Sequence, residues 1–190
     1  MYERDKASNI TGTSLCTCAY KGKIYVFYDY INPKNWRQRY ICYKTSSDPE
    51  NIGWAPDGGE KIKIAKRNLY MDVKWGNDSE RPLLTATVLD GKLYLFYAKT
   101  GEQNIHVLVF DNQEWKTASD IDCGKAVQAI SAQTVITNKG NGNDENSVIA
   151  IAVRVKNETG DRGGKIHVIT YNEKSYQKSL TWAEDINRLW

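Results

Sequence analysis

The heptapeptide GKIYVFY at 22–28 recurs almost unchanged as GKLYLFY at 91–97. Each copy is followed by an alternating segment and then by a Trp that leads into an acidic tail ending in Ile. The tails read WAPDGGEKI at 54–62, WKTASDI at 115–121 and, in a third copy, WAEDI at 182–186. The third copy also carries GKIHVITY at 164–171, with SVIAIAV at 147–153 in the place of the heptapeptide. Repeats of this length indicate one supersecondary unit that stacks on its neighbours, because it cannot cover its apolar face alone.

Each repeat has the pattern of four short strands, with apolar residues at alternate positions and turn residues such as Asp90-Gly91 between them. The units span about 12–64, 81–122 and 127–187 of a single domain that covers 1–190. The segment 65–82 links the first two units and is expected to form a short helical turn or an extra strand. A period of two places Tyr25, Phe27, Tyr94 and Phe96 on one face of their strands and Tyr28 and Tyr97 on the other.

These repeats predict an all-β fold built from three four-stranded antiparallel blades of a β-propeller. The alternative is a β-sandwich or an irregular barrel, which needs no ring closure. Propellers close with typically four to eight blades, so three blades alone would leave two lateral faces uncovered. We therefore expect either a homo-oligomer, in which two copies would form a six-bladed ring, or a chain that is part of a longer polypeptide.

Composition excludes several classes of partner. The 26 Lys and Arg against 23 Asp and Glu give a net charge of +3, and the basic residues are scattered among acidic ones, so we do not expect nucleic acid binding. No apolar run approaches the roughly 20 residues that span a bilayer, and the start lacks the blocks of a signal peptide, so localisation is not predicted.

Four cysteines, at 16, 18, 42 and 123, are too few for a disulfide scaffold of this length. Cys16 and Cys18 share one face of a predicted strand, and buried or half-buried thiols are favoured over a metal pair. The sequence predicts no metal site and no cofactor.

The hairpin G-K-[IL]-Y-[VL]-F-Y, followed by an alternating strand, a turn and a Trp, resembles the repeat of β-propeller lectins. The group is that of the fucose-binding lectins of fungi and bacteria and related lectins of insect pathogens. The resemblance covers nearly the whole chain and implies a sugar held between adjacent blades by an Arg, a Glu and a stacking aromatic residue. Trp54, Trp115 and Trp182 match the aromatic position. The third strand of each unit contains no Glu, and a polar position is shared instead by Arg39, His106 and His167, which favours a ligand other than fucose.

Those six residues are the predicted ligand-binding set, and each has a structural alternative. A Trp face offers a sugar ring an apolar platform, but a repeated Trp is also a packing wedge between sheets. The two histidines occupy repeated positions between apolar neighbours, which favours a structural or ligand-binding role over catalysis.

The predicted function is a non-enzymatic, lectin-like module that binds a carbohydrate or a glycoprotein in clefts between blades. One alternative is a sialidase-type glycoside hydrolase, because SSDPENIGW at 46–54 is similar to an Asp-box turn. The other is a protein-interaction propeller, such as the receptor-binding part of a larger toxin or surface protein.

Overall fold

The computed structural model describes residues 14–32, 34–48, 53–74, 80–138, 145–156, 164–172 and 175–182. Strands make up the regular structure of these residues, and no helix occurs among them, so the all-β prediction is confirmed.

The strands form three antiparallel sheets in chain order, each a meander in which consecutive strands pair. The first sheet contains β1 (Leu15–Tyr20), β2 (Lys23–Asn32), β3 (Asn35–Ser46) and β4 (Ala55–Lys61), with β7 (Tyr70–Asp72) also paired to β3. The second sheet contains β8 (Pro82–Leu89), β9 (Lys92–Lys99), β10 (Asn104–Asp111) and β11 (Glu114–Thr117), with β12 (Ile121–Asp122) also paired to β10. The third sheet contains β13 (Val127–Asn138), β14 (Glu145–Lys156), β15 (Gly164–Asn172) and β16 (Ser175–Trp182).

The link between the first two sheets contains extra strands, one of the two outcomes that the sequence left open. It includes β7 and a small ladder of β5 (Lys63–Ile64) with β6 (Arg67–Asn68). Among the described strands each sheet stays open, so no barrel closes. Because the described residues include no helix, none of them forms a helix long and apolar enough to cross a bilayer.

Tight two-residue turns set the register of the hairpins. Asp90 and Gly91 both have positive φ angles, 48° and 70°, which is the backbone of a type I′ turn. Lys21 and Gly22 repeat this geometry between β1 and β2, and Asn112 and Gln113 do so between β10 and β11. The twist of such turns matches that of the flanking strands, so they join neighbouring strands without splaying them.

The second sheet lies between the other two and is covered on both faces. Tyr94 and Phe96 belong to the apolar core shared with the third sheet, whereas Leu93, Leu95 and Tyr97 belong to the core shared with the first. β9 therefore has an uninterrupted apolar sequence, and its alternation assigns each side chain to one of two cores. The predicted faces of the repeated heptapeptide are confirmed.

The first strands of neighbouring sheets meet directly. The hydroxyl of Thr85 on β8 accepts a hydrogen bond from Ala132 N on β13 at 2.9 Å, and the hydroxyl of Thr87 accepts one from Thr134 N at 3.1 Å. Between the first and second sheets, Tyr20 Oη donates to Gly91 O at 3.1 Å. Side-chain hydroxyls thus provide hydrogen bonds where these strands of neighbouring sheets meet.

Candidate functional site

A carboxylate–histidine cluster, formed by Glu102, His106 and Asp120, lies on the side of the second sheet that faces the first. His106 Nδ1 is 2.9 Å from Asp120 Oδ2, and His106 Nε2 is 3.2 Å from Glu102 Oε1. The His106 ring packs on Tyr97, with ring centroids 4.9 Å apart. The side chains of His106, Glu102 and Asp120 are 28%, 27% and 46% exposed, so the cluster is accessible to solvent.

Three separate parts of the second sheet supply this cluster. His106 lies near the start of β10, directly opposite Tyr97 of β9, so both side chains point to the same face. Glu102 lies in the turn between β9 and β10, and its second oxygen, Oε2, accepts a hydrogen bond from Lys99 N at 3.3 Å. Asp120 lies in the connection between β11 and β12.

Charge and burial shift the pKa values of the groups in the cluster and of Tyr97. The hydrogen bond to Glu102 raises the pKa of His106 above its ordinary value, and the charge of Asp120 adds to this effect while partial burial opposes it. Burial by itself would raise the pKa of Glu102, but its hydrogen bond with His106 and the imidazolium charge bring that pKa below its ordinary value. Burial, together with the charges of Asp120 and Glu102, raises the pKa of Tyr97 to about 12, so its hydroxyl stays protonated.

Arg39 is neutralised by a carboxylate of its own sheet. It lies on β3, opposite Met71 of β7, on the face that contributes to the core with the second sheet. Its Nη1 is 3.3 Å from Asp29 Oδ2, and the two side chains are 6% and 0% exposed. Asp29 Oδ1 also accepts a hydrogen bond from Ser14 N at 2.8 Å. An arginine held in this way is a structural counter-ion, because its charge is already balanced.

The predicted aromatic positions differ in their surroundings. Trp115 is 8% exposed and packs against Phe27, Tyr43 and Phe110, and its indole nitrogen has no hydrogen-bond partner among the residues that the structure describes. It therefore lies in the core between the first and second sheets, as a packing wedge would. Trp54 is half-buried just before β4. Trp182 ends β16 by backbone pairing, and its side chain lies outside what the structure describes.

His167 lies on the third sheet, opposite Val153, whose side chain belongs to the core with the second sheet. His106 stands opposite Tyr97, whereas in the first sheet Cys42 stands opposite the corresponding Tyr28. The register thus places Cys42, rather than Arg39, at the position equivalent to His106. The three residues that the sequence aligned come from three sheets, and of them His106 belongs to the carboxylate–histidine cluster.

The sequence interpretation missed Glu102, Asp120 and Tyr97. One signal was available, since Asp120 is the acidic residue before the terminal Ile of the second tail. Ile62 and Ile121, which end the first two tails, are both fully buried. Because the Ile side chain is buried, the side chain of the residue before it points the other way. That residue is Asp120 in the second sheet and Lys61, which lies opposite Cys42, in the first.

The four cysteines are free thiols, with Cys42 and Cys123 buried and Cys16 and Cys18 half-buried, as the sequence predicts. Burial raises the pKa of Cys16 to about 12 and that of Cys42 to about 12, so both remain protonated and unreactive. Within the described part of the chain, no group of three or more His, Cys, Asp or Glu side chains has the arrangement of a metal site.

Comparisons of the chain with protein-family models, with curated proteins and with solved structures found no match.

Proposed function

We propose that this protein is a non-enzymatic binding module for neutral carbohydrates, with its site at the carboxylate–histidine cluster. The observation that carries the proposal is the pair of half-exposed carboxylates, Glu102 and Asp120, fixed on either side of one imidazole. Fixed acceptors of this kind suit sugar hydroxyls, because little conformational entropy is lost when the ligand binds.

The hydrogen-bonding capacity of the cluster favours a ligand that donates. Asp120 is the most exposed member, and among the described residues its Oδ1 has no hydrogen-bond partner, which leaves this oxygen available to a hydroxyl. The cluster carries two carboxylates against at most one imidazolium, so its charge is negative. A neutral sugar is therefore favoured over an acidic one, because a like charge in the site costs binding free energy.

The same charge argues for binding rather than sialidase-type hydrolysis. A sialidase-type site needs several arginines around the carboxylate of its substrate, whereas Arg39 is paired with Asp29 and the cluster itself is acidic. We therefore expect no turnover of a fluorogenic sialoside.

We also propose that the three sheets are blades of a β-propeller and that a second copy of the chain completes the ring. The adjacent first strands β1, β8 and β13 and the double-sided burial of the second sheet support this arrangement. Alternate side chains on the outward faces of β1 and β13 are exposed, namely Leu15, Thr17, Ala19, Ser131, Gln133 and Val135. A second copy would cover both outward faces through two identical contacts.

A glycan array with labelled protein tests the site. We expect neutral glycans to bind and acidic ones to be weaker, and Asp120→Asn and Glu102→Gln each to reduce binding about tenfold or more. Glu114→Gln is the matched control, since Glu114 is exposed on β11 outside the cluster. Retention of binding by both cluster variants would refute the site.

Light scattering tests the ring separately. Two copies of 21.6 kDa give about 43 kDa. Ala152 is exposed on β14 opposite Ser131, on the outward face of the third sheet, and Thr17 is exposed on that of the first. Thr17→Arg and Ala152→Arg therefore block opposite faces, so each variant alone should be monomeric, while a mixture of the two keeps one intact contact and should associate. A monomeric wild-type protein at micromolar concentration would overturn ring completion by a second copy.

A further inference from the structure

His106 connects two loops of the second sheet, and one of these loops is also a joint to the third sheet. The turn at residues 100–103 is joined to β13 by two backbone hydrogen bonds. Val127 N donates to Glu102 O at 2.7 Å, and Gly101 N donates to Val127 O at 2.9 Å. Whatever holds the Glu102 side chain in place therefore also supports the contact between these two sheets.

The second loop is the connection at residues 118–120. Ala118 N donates to Val107 O at 2.9 Å, and β12 then pairs with the start of β10 through Ile121 and Ile105. Between these two anchors, the Asp120 carboxylate contacts His106 at 2.9 Å. The imidazole thus bridges the turn at residues 100–103 and the connection at residues 118–120 by side-chain contacts, while the backbone joins the same region beyond β12, where Cys123 N donates to Gln103 O at 2.9 Å.

The bridge requires a proton. A neutral imidazole carries one N–H, so it can donate to only one of the two carboxylates. Its other nitrogen would then present a lone pair to a carboxylate oxygen about 3 Å away, which is repulsive. Only the imidazolium donates to Glu102 and Asp120 at once, and such charge-assisted hydrogen bonds are the strong ones.

The other cationic groups near His106 are paired with carboxylates outside the cluster, so His106 is the group that supplies a positive charge between Glu102 and Asp120. On β9, the Tyr97 ring packs against the imidazole at an interplanar angle of 31°, and the ammonium of Lys99 lies 3.3 Å from Glu80 Oε2. The first sheet contributes Arg39 and Asp29 to the facing side, and these two form an ion pair with each other. The third sheet meets the turn through the backbone of Val127.

We propose that His106 is a proton-operated clamp, which holds both loops on β10 when protonated and releases the turn at residues 100–103 when it loses the proton. Release weakens the joint to Val127 and lets the Glu102 and Asp120 carboxylates move apart. The consequence for ligands rests on the proposed function: carbohydrate binding is strongest when His106 is protonated and declines as the pH rises through its titration.

The clamp is tested in the ligand-free protein by amide hydrogen exchange and histidine NMR as a function of pH. The chain has two histidines, and His106→Gln assigns their signals. After correction for intrinsic exchange, protection of the Val127 amide should fall about tenfold as His106 titrates. The Thr134 amide is the internal control, because it lies on the same strand and donates to Thr87 Oγ1 instead. Equal behaviour of the two amides at every pH would overturn the clamp.

Glu102→Gln is the variant that separates the clamp from simple packing. A glutamine amide can donate to a neutral imidazole nitrogen, so the turn should stay closed and the pH dependence of Val127 exchange should disappear. Glu114→Gln should keep that dependence. If Glu102→Gln still shows the wild-type pH profile, the clamp is refuted even if sugars bind. If the profile behaves as expected and no glycan binds, the carbohydrate proposal fails alone.

Discussion

Replacement of Arg39 by Met should destabilise the protein strongly, because it leaves a buried carboxylate without its counter-ion. The Asp29 side chain is fully buried and the Arg39 side chain is 6% exposed. Removing one partner of a buried ion pair costs about 3–5 kcal/mol. The Arg39–Asp29 contact is long, at 3.3 Å, and Asp29 keeps its hydrogen bond from Ser14, so we expect the low end, about 3 kcal/mol. Methionine retains the apolar stem, which keeps the loss of packing small.

Urea unfolding followed by tryptophan fluorescence measures this cost. In a thermal melt of a chain of this size, 1 kcal/mol shifts Tm by about 2–4 °C, so Tm should fall by about 6–12 °C. Arg67→Met is the matched control, because Arg67 is exposed on β6 and its loss should change stability by less than about 0.5 kcal/mol.

The double variant Asp29→Asn with Arg39→Met distinguishes an ion pair from a packing effect. It removes both charges, so it should recover much of the stability that Arg39→Met loses. A loss below about 1 kcal/mol for Arg39→Met would refute the interpretation of Arg39 as a structural counter-ion, and would return it to the candidates for ligand binding.

Three further predictions follow from the same packing and charges. Because the pKa of His106 is raised on folding, its contribution to stability is complete below the ordinary value of 6.5 and is lost as the pH rises through the folded pKa. Because the pKa of Glu102 is lowered, its contribution is complete above 4.5 and is lost as the pH falls through the folded pKa. Urea unfolding at a series of pH values should therefore give maximal stability between pH 4.5 and 6.5, and Glu102→Gln should flatten this profile. Trp115→Phe should cost less than about 1.5 kcal/mol, because it removes a buried N–H that has no hydrogen-bond partner in the described part of the chain. Trp115→Ala should cost about 3–5 kcal/mol, and equal losses for the two variants would contradict the wedge role. Gly59→Ala should destabilise the protein more than Gly22→Ala by about 1–3 kcal/mol. Both glycines have φ near 70°, but only at Gly59 would the new methyl group meet the Tyr28 hydroxyl. Thermal melts measure the difference, and equal Tm values for the two variants would show that Tyr28 moves aside.

Much of the local structure is determined by the sequence itself. Alternation along GKLYLFY assigns Tyr94 and Phe96 to one core and Tyr97 to the other, because successive side chains of a strand point to opposite faces. Asp90-Gly91 favours a tight turn, because Asp tolerates and Gly readily adopts the positive φ angles that a type I′ turn requires. These are short-range effects, and they can be read from a few consecutive residues.

The candidate site depended on tertiary structure instead. Glu102, His106 and Asp120 are separated by a turn and by a whole strand, and only the register of β9, β10 and β12 brings their side chains together. Arg39 fits a ligand-binding pattern in the sequence, but the pairing of β2 with β3 places it beside Asp29, which neutralises it. The burial of Trp115 likewise depends on Phe27 and Tyr43 of another sheet. The sequence by itself determines which side chains lie on each face of a strand, because successive residues point to opposite faces. The packing of one sheet on the next determines which of those side chains are buried in the core and which remain accessible to a ligand.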